Sequence, residues 1–289
     1  MNDIAKIRQF NRTVTHHIGA LENEFLGRER SLGASRLLFE IGAGAEVRVL
    51  RERLGLDSGY VSRLLRTLEH QGLVQLGSLK EDARVRFVSL TPKGVKEVAL
   101  LDKLSDRGAA AMLEPLSEKQ RASLVESMAT VERLLRASSI NLATSDPGSR
   151  LAQQCLTHYY EELSERFEMA FDPSVSISAA PEELRPPQGY FVLALLQGEA
   201  VGCGALKCHT DFGEIKRMWV AASCRGMGIG RRILAQLEFL ARERGLALLR
   251  LETNKALLEA QALYKSFGYQ EVAPFSEEPY AHHWFEKEL

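Results

Sequence analysis

The sequence predicts two domains, a mainly α domain over residues 1–137 and an α/β domain with a mixed sheet over residues 138–289. Three observations carry that reading. A chain of 289 residues exceeds what one hydrophobic core usually organises and suits two. Apolar residues recur at helical steps of three and four through the first half, whereas the second alternates β-type runs with amphipathic helical stretches. Charge also shifts: Lys and Arg number 22 against 18 Asp and Glu up to residue 137, and 15 against 20 beyond it. A half of +4 followed by a half of −5 makes up the net −1, as two domains with different partners would.

In the first half, Ile7, Phe10, Val14, Ile18, Leu21 and Phe25 predict a helix over 4–26. A second runs from Leu32 to Ile41 and stops at Gly42; a third runs from about Glu46 to Leu54, with Gly55 as its C-cap. Asp57 or Ser58 can N-cap a fourth, whose buried face is Val61, Leu64, Leu65 and Leu68 and which Gly72 ends. The runs LVQLG (73–77) and VRFVSL (85–90) read as a hairpin with a charged tip. Thr91-Pro92 starts a helix carrying Val95, Val98, Leu101 and Leu104, and another begins near Ser117 through Leu124, Met128, Val131 and Leu135. The stretch ASSINLATSDPG loses the helical pattern, which sets the domain boundary at 137.

In the second half, 189–196, 199–208 and 213–220 read as three successive strands. A helix over 229–244 follows, then a strand over 246–253. The next helix has apolar positions at Leu257, Leu258, Leu263 and Phe267, and the strands YQEV and YAHHWFEKEL close the chain.

Between the third strand and its helix stands RGMGIGRR (225–232). A P-loop would require Lys-Ser or Lys-Thr after the last glycine, and a dinucleotide fingerprint would require G-x-G-x-x-G; neither spacing is met. Gly226, Gly228 and Gly230 instead let successive backbone N–H groups point outward at a helix N-terminus, where the dipole favours a pyrophosphate, with Arg225, Arg231 and Arg232 adding charge.

The order of strand, RGMGIG loop, helix, the strand ending LETN (251–254) and the helix end ALYKSFGY (262–269) resembles the GNAT superfamily of acyl-CoA-dependent N-acetyltransferases over about 140–289. The resemblance implies acetyl-CoA as co-substrate, with Met218, Trp219 and Val220 at the thioester end. It sets Arg225, Gly226, Met227, Gly228, Ile229, Gly230 and Arg231 at the phosphates, and Asn254 on the pantetheine or phosphate side. It implies that Tyr264 protonates the leaving sulfur and that Glu214 is a candidate general base, with a strand N–H near Met218 or Trp219 steadying the oxyanion. The bare residues also fit a core tyrosine and a solvated strand-end carboxylate. His282 and His283 alternate on the last strand, so one of them is a candidate for the acceptor pocket. The segment 151–187 would form a flap whose Tyr159, Tyr160, Glu161 and Glu162 suit a cationic or amphipathic amine, or would simply be a helix with one buried and one wet face. An acetyl-cysteine on Cys203 or Cys224 is disfavoured, because the family usually transfers directly.

The first half, through SGYVSRLLRTLEHQGLV (58–74) and EDARVRFVSLTPKG (81–94), resembles the winged helix-turn-helix of the MarR family. That implies a dimer, formed by the terminal helices, on double-stranded DNA. Ser58, Tyr60, Ser62, Arg63 and Arg66 would face the major groove, and Lys80, Arg84 and Arg86 of the wing would reach the backbone or minor groove, Asp82 orienting Arg84.

Cys155, Cys203, Cys208 and Cys224 make no C-x-x-C pair and no zinc spacing with the seven histidines, so no metal is expected and reduced, buried thiols are. No apolar run approaches the roughly 20 residues of a membrane span, and the polar N-terminus carries no secretory pattern. The expectation is a cytoplasmic homodimer, both transcriptional regulator and N-acetyltransferase of a small primary amine. Its alternative is a regulator whose second domain only senses acyl-CoA or an amine.

Overall fold

The computed structural model describes residues 2–20, 24–78, 85–168, 171–177 and 179–289. It divides into two compact units, Met1–Glu126 and Ser127–Leu289, and the division falls within a continuous helix, Glu118–Ser138.

The first unit contains α1 (Asp3–His17), a 3-10 turn at Phe25–Gly27, α2 (Leu32–Ile41), β1 (Ala45–Glu46), α3 (Val47–Leu54) and α4 (Ser58–His70). Strands β2 (Val74–Ser78) and β3 (Arg86–Leu90) follow, then α5 (Pro92–Leu113) and the start of α6 (Glu118–Ser138), which belongs to the second unit from Ser127 on. The strands form a small antiparallel sheet in the order β1-β3-β2. Its core is the apolar face of α4 (Val61, Leu65, Leu68) against Leu37, Leu38, Ile41, Leu50, Val88 and Leu101.

Sequence and structure differ at two places here. The helix predicted over 4–26 ends at His17, because Gly19 turns the chain at φ 63. On α5, Val95 is 56% exposed, whereas Gly94, Glu97 and Leu101 are buried. Gly94 sits so tightly on the Leu73 carbonyl that a Cβ there would come within 2.0 Å of that oxygen, which fixes the face the helix turns inward.

The second unit is a seven-stranded sheet in the order β4-β5-β6-β7-β8-β10-β9. Its strands are β4 (Asn141–Ser145), β5 (Gly189–Leu196), β6 (Glu199–Cys208), β7 (Gly213–Val220), β8 (Leu248–Thr253), β9 (Gln270–Val272) and β10 (His283–Glu288). Helices are α7 (Arg150–Arg166), α8 (Ile229–Glu243) and α9 (Leu258–Ser266). The apolar run of β5 is buried on both faces, as a strand between two helical layers must be. Val192 and Ala194 pack with α8 residues Ile233, Leu234 and Leu237. Phe191 and Leu193 pack with α7 residues Ala152, Cys155 and Leu156.

Strand β4 falls in the stretch where the helical pattern is lost, and no strand is predicted there. Its polar, half-exposed side chains carry little β signal, and it is ordered by antiparallel pairing with β5 from Asn141↔Leu195 to Ser145↔Phe191. Leu258, one of the apolar positions of its predicted helix, is 69% exposed, as α9 begins only there. Every ladder of this sheet is antiparallel except β7–β8, which is parallel and pairs only at Gly213↔Leu249 and Glu214↔Arg250. Beyond Glu214 no ladder pairing joins these two strands, and residues of both line a cavity there.

Candidate active site

Two concavities among the described residues of the second unit adjoin one another. The first is lined by β7 residues Ile215, Lys216, Arg217 and Met218, by Glu252, Thr253 and Asn254 at the end of β8, and by Tyr160, Phe167, Phe171 and Tyr280. The second, of about 530 Å³, follows Met218, Trp219 and Val220 to the loop at Gly226–Gly230 and is closed by α7 and α9. It falls within the size range of small-ligand sites.

The loop owes its shape to glycine. Gly226 and Gly228 take φ 75 and φ 74, and a Cβ at either would meet nothing, so backbone conformation rather than space demands glycine there. Gly228 is the N-cap of α8 and gives no side-chain cap, so the first N–H groups of that helix are left to a ligand or water. Arg231 is held by Nη1 donating to Ser266 Oγ at 3.2 Å and by the Phe267 ring 4.7 Å from its guanidinium carbon. These features fit a pyrophosphate. Met227 packs against the hydrophobic core and is not among the residues lining the groove. Ile229 lines the groove while its side chain is buried in the core.

Arg225 donates through Nη2 to Glu162 at 2.6 Å and through Nε to the Val220 carbonyl at 3.1 Å. Glu162 also accepts from Trp219 Nε1 at 2.9 Å and Arg166 Nη1 at 3.0 Å. Burial would raise the Glu162 carboxyl, but these three donors outweigh it and hold its pKa below the usual range. Arg166 in turn grips Glu259 and holds its carboxyl down at about 2. Glu162, expected as a partner for a cationic amine, is therefore spent on arginines of the groove. Glu161 is exposed and pairs with His158.

The two concavities share Tyr159, Leu163, Met218, Leu257, Ala260 and Tyr264. Both phenols are kept protonated: burial pushes Tyr264 well above its ordinary value, and burial together with Tyr160 and Tyr264 does the same to Tyr159.

Other expected residues lie elsewhere. Glu214 does not line either concavity; it accepts from Lys216 Nζ at 2.7 Å and sits 3.1 Å from His209 Nε2, at the last residue where β7 still pairs with β8. Asn254 lines the first concavity rather than the groove, and both ends of its amide are used, Nδ2 on the Tyr280 carbonyl and Oδ1 on the Ala256 N–H. His282 is exposed, and His283 Nδ1 lies 2.6 Å from Glu271; neither lines a concavity. The sequence pattern missed Arg217, whose position depends on a strand irregularity, and Arg166, whose pairing with Glu259 depends on a residue remote in the chain.

In the first unit a concave surface is lined by Arg48 and Arg51 of α3, Ser58 and Ser62 of α4, and Arg86 of β3, with Glu46 beside them. Arg63 and Arg66 are exposed on α4. Tyr60 departs from expectation: its hydroxyl packs on α2, where a Cβ at Gly33 would come within 2.7 Å of it. Arg84, Lys80 and Asp82 lie outside the described residues. Arg48 and Arg51 escaped the sequence reading because α3 shows its basic face only when set beside α4.

Among the described residues no group of His, Cys, Asp and Glu is arranged to hold a metal, and no helix is long and apolar enough to cross a membrane.

Residues 153–269 match the family described as Acetyltransferase (GNAT) family; no winged-helix family model matches the first half. The chain is 41% identical over 96 residues to the IAA acetyltransferase of Azospirillum brasilense, covering 32% of this chain and 63% of that protein. It is 35% identical over 96 residues to the aminoalkylphosphonate N-acetyltransferase of Salmonella typhimurium, covering 30% and 61%. The chain thus spans less than two thirds of the length of these curated relatives. A GNAT family acetyltransferase from Elizabethkingia anophelis, solved with acetyl-CoA bound, aligns at 17% identity and TM-score 0.38, covering 52% of this chain and 99% of that one.

Proposed function

We infer, from the GNAT-family acetyltransferase domain that residues 153–269 form, that this chain transfers the acetyl group of acetyl-CoA to the nitrogen of a small primary amine. The observation that carries the reading is the junction at Tyr159, Met218 and Tyr264, where the groove and the cavity meet. In this reading the groove receives CoA, with the α8 N-terminus and Arg231 at the pyrophosphate, and the cavity receives the amine. A nitrogen–carbonyl bond forms and the carbon–sulfur bond breaks; the nitrogen gives up a proton to solvent and the sulfur takes one. Tyr264 is the group that supplies it: burial raises its pKa and keeps the phenol protonated, and it lines both concavities. In this reading a strand N–H near Met218 or Trp219 steadies the carbonyl oxygen. Glu214 pairs with Lys216 and His209 and lines neither concavity, so this reading assigns it no role.

The reading is tested by following CoA release with a thiol-reactive dye across amino acids, polyamines and aminoglycosides. Saturable turnover is expected, and Tyr264→Phe lowers kcat about 100-fold or more while acetyl-CoA affinity stays within twofold. Full turnover in Tyr264→Phe removes the acid role. Silence on every amine, with acetyl-CoA still bound, replaces the enzyme with a sensor.

For the first half, domain 1–137, the reading is a winged helix-turn-helix that binds double-stranded DNA as a homodimer. Its support is the basic concavity of Arg48, Arg51 and Arg86 beside the exposed Arg63 and Arg66. For the dimer it is the run of exposed apolar side chains on α1, Ile4, Ile7, Phe10 and Val14, and on α6, Val125, Met128, Leu134 and Leu135.

A further inference from the structure

Building on the acetyltransferase reading, we propose that Arg217 binds an oxyanion of the acceptor, which is then an amine carrying a carboxylate or phosphonate on an apolar body. Four consecutive residues, Ile215 to Met218, line the acceptor cavity. A regular strand sends successive side chains to opposite faces, so such a run needs an irregularity. One is present: the ladder with β6 jumps from Ala205↔Lys216 to Cys203↔Trp219, setting Arg217 and Met218 against Gly204 alone. Arg217 takes φ 56 there, a left-handed conformation that residues with a Cβ avoid. Gly204 makes the bulge possible, since a Cβ on it would meet Ile233 at 2.6 Å and the Met218 sulfur at 2.7 Å. Backbone strain of this kind persists where it serves a site, and here it sets an arginine in the cavity wall.

The other charges of the cavity point the same way. Lys216 is sandwiched between Glu214 at 2.7 Å and Glu252 at 3.1 Å. Glu278 accepts from the Ile177 N–H at 2.6 Å and Ser176 Oγ at 3.0 Å. Both cavity carboxylates are thus committed within the protein, so a polyamine or dication finds no ready counter-charge. Arg217 is steadied by Nη2 donating to the Ala179 carbonyl at 2.6 Å, and a guanidinium fork matches the paired oxygens of a carboxylate or phosphonate. Facing it is an aromatic wall, with Tyr160 and Phe171 stacked at 5.7 Å and Phe171 4.9 Å from Tyr280. That wall suits an apolar body.

The test uses the full chain and matched pairs that differ in the oxyanion: phenylalanine against phenethylamine, leucine against isopentylamine, and 1-aminoethylphosphonate against ethylamine. Binding to the CoA-saturated protein is measured by calorimetry, and kcat/KM where turnover occurs. The acidic member of at least one pair is expected to bind about tenfold to a hundredfold more tightly, and the pair that responds tells carboxylate from phosphonate. Arg217→Gln abolishes the preference and Arg217→Lys keeps part of it, so the lysine variant serves if the glutamine variant fails to fold. Equal binding within every pair, a preference that survives Arg217→Gln, or no binding at all overturns the proposal. Preferential binding without turnover upholds it and overturns the acetyltransferase reading alone; turnover of the plain amines without preference does the reverse.

Discussion

At Glu97 burial and pairing oppose one another, and pairing wins. Burial would raise its carboxyl, but Arg28, donating through Nε at 2.8 Å and Nη2 at 3.0 Å, and Arg30 outweigh it and hold the pKa below the usual range. A folded-state pKa below the unfolded one, near ~4.3, means that the carboxylate stabilises the fold above that pH. The contribution is lost as pH falls through the folded value. Breaking one partner of a buried pair costs about 3 kcal/mol or more; because Arg28 is 36% exposed, about 2 kcal/mol is expected for Glu97→Gln at pH 7. Urea unfolding of both proteins at pH 7 and below pH 4 checks this: the gap between them should narrow in acid, and a constant gap refutes it. Arg217 and Tyr264 belong to the same scale, since each is defined by one side chain in one wall.

Among the elements, α4 shows most directly how local chemistry sets a boundary. Asp57 Oδ1 accepts the Tyr60 N–H at 2.8 Å, and the helix then buries Val61, Leu65 and Leu68 at steps of four and three. Asp57→Ala is expected to destabilise the first unit by about 1 kcal/mol; thermal unfolding showing no shift would mean that packing alone sets the helix start. Helix α8 has the opposite kind of start, with glycine at its N-cap and no side-chain acceptor, which suits an end that meets an anion. Strand β7 does two jobs because it is irregular: its first two residues pair with β8, and its bulge carries the cavity wall.

For the whole molecule, the α1 side chains Ile4 and Ile7, 65% and 58% exposed, are apolar surface that a monomer would leave in water. Ile7→Glu with Phe10→Glu is expected to turn a dimer into a monomer by light scattering. The same change should weaken binding to double-stranded DNA at least tenfold, because a two-fold reader loses one half-site. Binding by the parent protein should fall steeply with salt. A doubly substituted protein that stays dimeric, or parent binding indifferent to salt, refutes the DNA-binding homodimer.

Much of this was legible in the residues, since it depends on near neighbours. Strands at 189–196, 199–208 and 213–220, the caps at Asp57 and Gly55, and the turn at Gly226 and Gly228 follow from periodicity and backbone preference over a few positions. By itself the sequence also determined the order of elements by which residues 153–269 match the acetyltransferase family. Only the tertiary structure decided which polar groups face the cavities. Glu214 and Asn254 were assigned by position in a motif, yet Lys216, Tyr280 and Ala256 occupy them. Strand β4 exists through its ladder with β5, and Arg217 reaches the cavity through a bulge opposite Gly204. The physical reason is common to all three: a hydrogen-bond partner or a ladder register is supplied by residues remote in the chain, and local periodicity carries no information about them.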